Sequence, residues 1–94
     1  MDPDPQHLDA VRGLRGEIDV LDDAIAAAVC ERARKVLELR TLKAGLGMAF
    51  LDPGREAEIL DRAASRVQAP MTAEALREVL ACVLAQVKRA LPPP

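Results

Sequence analysis

The sequence predicts an all-α protein, in which one very long N-terminal helix and two shorter helices form an intertwined homodimeric bundle. Apolar residues recur at helical spacing in three stretches, and proline and glycine separate these stretches. Half of the residues are hydrophobic but only Phe50 is aromatic, and small apolar side chains suit close helix packing. The length fits one domain, residues 1–94, with a helical core from about residue 6 to 91 and a proline-rich tail.

The first helix is predicted from the longest apolar series. Its members are Leu8, Val11, Leu14, Ile18, Leu21, Ile25, Ala28, Val29, Val36, Leu39 and Leu42. No proline interrupts the chain between Pro5 and Pro53. The spacing predicts one helix from about residue 6 to 45, about 60 Å long at 1.5 Å per residue. Gly45 and Gly47 are typical of its end.

Turn residues mark the two shorter helices. Asp52 is predicted to cap a helix that begins at Pro53 and ends near Val67, since Asp favours the cap and Pro the first turn. Residues 68–70 end it, and Thr72 caps the third helix. The residues expected to face inward are Ile59, Leu60, Ala63, Leu76, Val79, Leu80, Val83, Leu84 and Val87.

The length of the first helix predicts a dimer. A helix of about forty residues is unusual in so short a chain. Its apolar stripe is longer than two short helices can cover, so a second copy of the chain is the economical partner. We therefore expect an intertwined homodimer.

Composition argues against several classes of protein. A formal charge of −2, the absence of a basic block and the lack of stacking aromatics argue against nucleic-acid binding. No apolar run approaches the roughly 20 residues of a membrane span, and the acidic start is unlike a signal peptide, so we expect a cytoplasmic protein without a membrane partner. Cys30 and Cys82 are expected to be buried, reduced thiols. Because the sequence has a single histidine and its two cysteines are far apart, we expect no metal site.

Two cations stand on the apolar face of the first helix. Arg32 falls where the apolar series should continue, and Lys43 follows eleven residues later, within about 20° of the same face. Their side chains would leave a gap that fits a small anion. Two simpler explanations stay open: Lys43 interacts with the helix dipole, or Arg32 pairs with a neighbour such as Glu31.

Arg15 lies seventeen residues before Arg32, about 25 Å along the helix and about 100° around it. One small ligand cannot contact both from the same chain. In an antiparallel dimer, however, Arg15 of one chain would reach Arg32 and Lys43 of the other.

The first turn of the second helix contains Asp52, Arg55 and Glu56. Asp52 as an ordinary N-cap and Glu56 as a complement to the helix dipole are the simple explanations. Arg55 is mildly unfavourable against the same dipole and therefore calls for another role.

These residues form a recognisable pattern. It consists of Leu14-Arg15-Gly16-Glu17-Ile18-Asp19, Glu31-Arg32, Lys43 and Asp52-Pro53-Gly54-Arg55-Glu56. The pattern closely resembles that of the all-helical (AroQ-type) chorismate mutases, without a gap from Arg15 to Glu56. The resemblance implies an intertwined three-helix homodimer with two sites, each completed by an arginine of the partner chain. The implied reaction is the [3,3] rearrangement of chorismate to prephenate, in aromatic amino acid biosynthesis by the shikimate pathway, with neither cofactor nor metal.

The resemblance also implies a role for each residue of the pattern. Arg15 of the partner and Arg32 would clamp the two carboxylates of chorismate, and Lys43 would reach a carboxylate and the ether oxygen. Glu56, with Asp52 nearby, would hold the ring hydroxyl. Arg55 would complete the cationic lining. Catalysis would then consist of conformer selection and electrostatic stabilisation.

The third helix departs from the family pattern. Members usually have a Ser and, four residues later, a Gln or Glu that addresses the ether oxygen. Ungapped alignment puts these positions near Val87 and Leu91, which donate no hydrogen bond. A shifted alignment offers Cys82 and Gln86, and Lys88 is another candidate; we prefer Gln86 as the catalytic donor. Without such a donor, the enzyme would be slow or would need an activating partner enzyme.

Other functions fit the same scaffold. An aminodeoxychorismate mutase would act on an amine in place of the ring hydroxyl, and an isochorismate pyruvate lyase would eliminate pyruvate. A non-catalytic helical dimerisation module fits the composition and periodicity equally well. Buried cations without anions argue against that module, since each unpaired buried charge costs several kcal/mol.

Overall fold

A computed structural model of the chain describes residues 2–50 and 52–92. It contains the helices α1 (Pro5–Leu46), α2 (Pro53–Ser65) and α3 (Ala73–Ala90), and the described residues contain no strand. The all-α class and the bounds of the long first helix are confirmed. The second helix ends two residues before the predicted Val67.

Short-range hydrogen bonds set the ends of the helices. Gly45 remains inside α1, whereas Gly47 follows it with a φ of +69°, a left-handed conformation that glycine adopts without steric cost. The cap at Asp52 is confirmed, because its carboxylate accepts a hydrogen bond from the Arg55 amide at 3.1 Å. The cap at Thr72 is also confirmed, since its hydroxyl accepts from the Ala75 amide at 3.1 Å.

The chain divides into two compact units, Met1–Arg32 and Ala33–Pro94. The first unit consists largely of the N-terminal part of α1. The second contains the last turns of α1 together with α2 and α3.

Within the second unit, α2 packs against α3. Arg77 of α3 pairs with Asp61 of α2, Nη1 to Oδ1, at 2.6 Å, and Lys88 of α3 pairs with Glu56 of α2. The earlier residue of α2 therefore meets the later residue of α3, so the two helices run antiparallel. Arg40 in the last turns of α1 donates a hydrogen bond to the Pro92 carbonyl at 2.9 Å, which joins α1 to the end of α3.

Little of the described chain is removed from solvent. Val87, 5% exposed, is the only described residue that is buried. Most of the residues expected to face inward are half-buried: Ile59, Leu60, Ala63, Leu76, Leu80, Val83 and Leu84. Val79 differs, with 50% of its surface exposed. A single chain thus brings these side chains together without enclosing them.

The apolar stripe of α1 is exposed in the first unit. No residue of α1 is buried. The exposed apolar side chains of this unit are Leu8, Val11, Leu14, Ile18, Val20, Leu21 and Ile25. Their exposed fractions range from 41% for Leu8 to 68% for Val20. In the single chain, the stripe that predicted a second copy therefore faces solvent.

The burial predicted for the two cysteines is wrong for the single chain. Cys30 and Cys82 are free thiols, but both are exposed. Cys30 lies on α1, which has no buried residue, and Cys82 falls outside the half-buried series of α3. Periodicity identified apolar stretches of helix, but it did not show that one chain leaves these positions uncovered.

None of the described helices combines the length and apolar character that a membrane span requires.

The cap of α3 provides a test of this architecture. We expect Thr72→Ala to lower the free energy of unfolding by about 1 kcal/mol, because the amide at the start of α3 loses its acceptor. Thr72→Ser, which keeps the hydroxyl, is the matched control. Urea denaturation followed by circular dichroism, at equal protein concentrations, would measure both; equal stability of the two variants would contradict the role of this cap.

Candidate active site

The first turn of α2 carries the acidic part of the candidate site. Asp52 caps the helix through Oδ1, so part of its hydrogen-bonding capacity serves the backbone. The Arg55 guanidinium lies 3.4 Å from the Glu58 carboxylate, one turn along the same helix. Both side chains are more than half exposed, and such a pair contributes little to stability. Arg55 therefore lies along α2.

Glu56 points from α2 toward α3 and pairs with Lys88. The Glu56 side chain is 43% exposed and that of Lys88 is 50% exposed. The sequence favours Gln86 over Lys88 as the third-helix donor and does not predict that Lys88 contacts Glu56. The short connection between α2 and α3 could have predicted this contact, because it makes the two helices antiparallel. The first turn of α2 then lies beside the last turn of α3.

The preferred third-helix candidate lies elsewhere. Gln86 is exposed, and its side chain forms no hydrogen bond with a described residue. Residues two positions apart in an α-helix are separated by about 200° around its axis. Gln86 and Lys88 therefore lie on nearly opposite sides of α3. Val87, between them, fills the interior, and Leu91 is half-buried. The catalytic role of Gln86 stays a prediction.

The three candidate cations of α1 pair with no described acidic residue. Lys43, in the last turn of α1, is half-buried, and Arg32 is also half-buried. Neither side chain pairs with a described acidic residue, so the described contacts do not include the alternative in which Arg32 pairs with a neighbouring carboxylate. Arg15 is exposed and likewise pairs with no described residue.

Residues 2–50 and 52–92 contain no group of three or more His, Cys, Asp or Glu side chains that could hold a metal ion. The candidates of α1 and the first turn of α2 are cationic and carboxylate side chains. Such groups bind anions and hydroxyls and stabilise developing charge.

Comparisons with known proteins identify the fold. Two solved structures of chorismate mutase from Thermus thermophilus are similar to this chain. Form II is 27% identical with a TM-score of 0.78, over 86% of this chain and 92% of the other. Form I is 28% identical with a TM-score of 0.77, over 83% of this chain and 98% of the other. No significant match is found among curated proteins.

The family comparison covers both units of the chain. The family model described as chorismate mutase type II matches residues 14–90, which include every candidate residue from Arg15 to Lys88. Because this match spans most of the sequence, the chain belongs to the chorismate mutase type II family, and its activity is that of an isomerase, chorismate mutase.

Proposed function

We propose that two copies of this chain build each active site and that the site converts chorismate to prephenate by conformer selection and electrostatic stabilisation. The observation that carries this proposal is the state of Arg32 and Lys43. Both are half-buried on α1, and neither has a described acidic partner. Removing a charge from water without a counter-ion costs free energy. A dianionic substrate would supply the missing counter-ions.

The carboxylates of chorismate are assigned to arginine. Arg32 and Arg15 of the second copy would each present a planar guanidinium, which pairs with a carboxylate through two parallel hydrogen bonds. Holding both carboxylates folds the flexible enolpyruvyl side chain over the ring. The two carbon atoms that bond would then lie at reacting distance, so part of the activation entropy is lost on binding rather than in the transition state.

The ether oxygen is assigned to Lys43. As the carbon–oxygen bond breaks and the new carbon–carbon bond forms, negative charge grows on this oxygen. An ammonium already in position stabilises that charge more in the transition state than in the substrate. The rearrangement is intramolecular: one carbon–oxygen bond breaks as one carbon–carbon bond forms, and the reaction requires no nucleophile, acid or cofactor.

The ring hydroxyl is assigned to Glu56, with Asp52 nearby and Arg55 completing the cationic lining. Asp52 acts chiefly through the start of α2, which it caps. Arg55 would exchange Glu58 for the substrate, and the exposed pair it leaves is worth only about 0.2–1 kcal/mol. Gln86 would contribute to the site only if α3 presents that face to the ligand.

The homodimer is supported by the exposed stripe of α1. Val87 is the single described residue that is buried, whereas seven large apolar side chains of the first unit are exposed. Burying such a side chain contributes about 1.5–3 kcal/mol, so covering the stripe with a second copy would stabilise the chain strongly. The free thiols of Cys30 and Cys82 fit a reducing cytoplasm, where we expect the enzyme to work.

The direct test is the decay of chorismate absorbance with purified protein, followed by product identification. Formation of prephenate would support the proposal. Pyruvate from isochorismate, or turnover restricted to aminodeoxychorismate, would indicate a sister enzyme. No reaction with any of the three would leave the dimerisation module.

Arg32 tests the carboxylate clamp. We expect Arg32→Ala to lower kcat/KM for chorismate at least about a hundredfold, because the lost contact is with substrate. Lys35→Ala, which removes an exposed cation of the same helix paired with Glu38, should keep most of the activity. Circular dichroism and sedimentation would show whether both variants stay folded and dimeric; an unfolded or monomeric Arg32→Ala would contradict the proposed role.

The origin of Arg15 is tested by mixing chains. Arg15→Ala and Arg32→Ala should each be inactive alone. In a heterodimer with Arg15 contributed across the interface, one of the two sites contains both native arginines. Chains refolded together in equal amounts should therefore recover about a quarter of the wild-type turnover per chain.

The control for that experiment is the same mixture without refolding, in which intertwined dimers exchange slowly. If Arg15 acts on the site of its own chain, both sites of the heterodimer lack one arginine. Refolding together would then restore nothing, and the shared site would be refuted.

A further inference from the structure

We propose that Lys88 is a specificity-determining residue, which makes the site select a ring hydroxyl over a ring ammonium through its ion pair with Glu56. The inference rests on the proposed function, in which Glu56 holds the hydroxyl of chorismate. It deepens that function, because the amino analogue differs from chorismate only in carrying an ammonium at this position.

The placement of Lys88 follows from the packing of α2 against α3. Lys88 Nζ contacts Glu56 Oε1 across the two helices. The antiparallel arrangement puts the last turn of α3 beside the first turn of α2, and the hydrogen bond from Arg40 to the Pro92 carbonyl holds the end of α3 against α1. The cation is therefore part of the surface around Glu56, although the family pattern has its third-helix donors near Val87 and Leu91.

The charge of the pair decides which ligand group fits. A lone carboxylate binds an ammonium through a charge-assisted hydrogen bond and would prefer it to a neutral hydroxyl. Lys88 neutralises Glu56 and occupies one carboxylate oxygen, so the other oxygen can accept the hydroxyl proton. An ammonium in that place would lie beside a second ammonium, and like charges at short range repel.

The other groups around this position act in the same direction or are already engaged. Asp52 accepts the Arg55 amide at the N-terminus of α2, and the positive end of that helix dipole disfavours a cation. Arg55, which would exchange Glu58 for the substrate, adds a further positive charge to this lining. Since Lys88 and Glu56 are each about half exposed, solvent screens the repulsion, and we expect an effect of about tenfold rather than more.

A purely structural role for Lys88 has a matched control in the same helix pair. Arg77 and Asp61 also join α2 to α3, at 2.6 Å and away from the first turn of α2. If Lys88 served only to tie the helices together, removing either pair would have a similar effect on both ligands. A change in the ratio between two ligands separates selectivity from stability.

The experiment compares aminodeoxychorismate, as an inhibitor of chorismate turnover, with chorismate itself. The measured quantity is the inhibition constant of the amino analogue divided by the KM for chorismate. In Lys88→Gln and Lys88→Met this ratio should fall about tenfold, which corresponds to about 1.4 kcal/mol. Lys88→Arg, which keeps the charge, and Arg77→Met should leave the ratio at its wild-type value.

Each outcome of this experiment supports or overturns the proposed role of Lys88 in selectivity. An unchanged ratio in the two neutral variants would overturn the inference while leaving the proposed function in place. Loss of folding in both neutral variants, seen by circular dichroism, would make Lys88 a structural residue and overturn it as well. Failure of the wild-type protein to convert chorismate would instead refute the proposed function.

Discussion

The apolar stripe of α1 is the constraint on which the remaining structure depends. It extends over more turns than α2 and α3 can cover, and in one chain its side chains are largely exposed. A helix of this kind is stable only when another surface removes the stripe from water. The proposed second copy would do this, and it would also deliver Arg15 to a distant part of the neighbouring α1. Burial of the stripe and assembly of the site are then one event.

Electrostatics divides the candidate residues into two groups. The carboxylates at the start of α2 are already engaged, Asp52 with the backbone and Glu56 with Lys88. Arg32 and Lys43 of α1 are half-buried, and neither pairs with a described acidic residue. The engaged groups are suited to recognise a neutral polar group, and the unpaired ones to recognise anions. A substrate with two carboxylates and one hydroxyl matches this division.

Local signals predicted the fold well, and they predicted pairings poorly. The long apolar series gave α1, and the caps at Asp52 and Thr72 were identified because capping depends only on neighbouring residues. The predicted burial of the two cysteines and Val79 is wrong for the single chain, because periodicity identifies a helix face without showing what covers it. The contact of Lys88 with Glu56 depends on how two helices pack, which no single segment encodes. For the same reason, the family pattern supplied the pattern residues of α1 and α2 but left the donor of α3 open.

Because Arg32 and Lys43 pair with no described acidic residue, ligand binding should affect the stability and abundance of the protein in the cell. Any ligand that binds only the folded protein increases its stability by mass action. Here the ligand would also relieve an electrostatic penalty, so the coupling between occupancy and stability should be strong. Small losses of stability expose proteins to degradation and change their abundance several-fold. The amount of this enzyme should therefore follow the supply of its own metabolite.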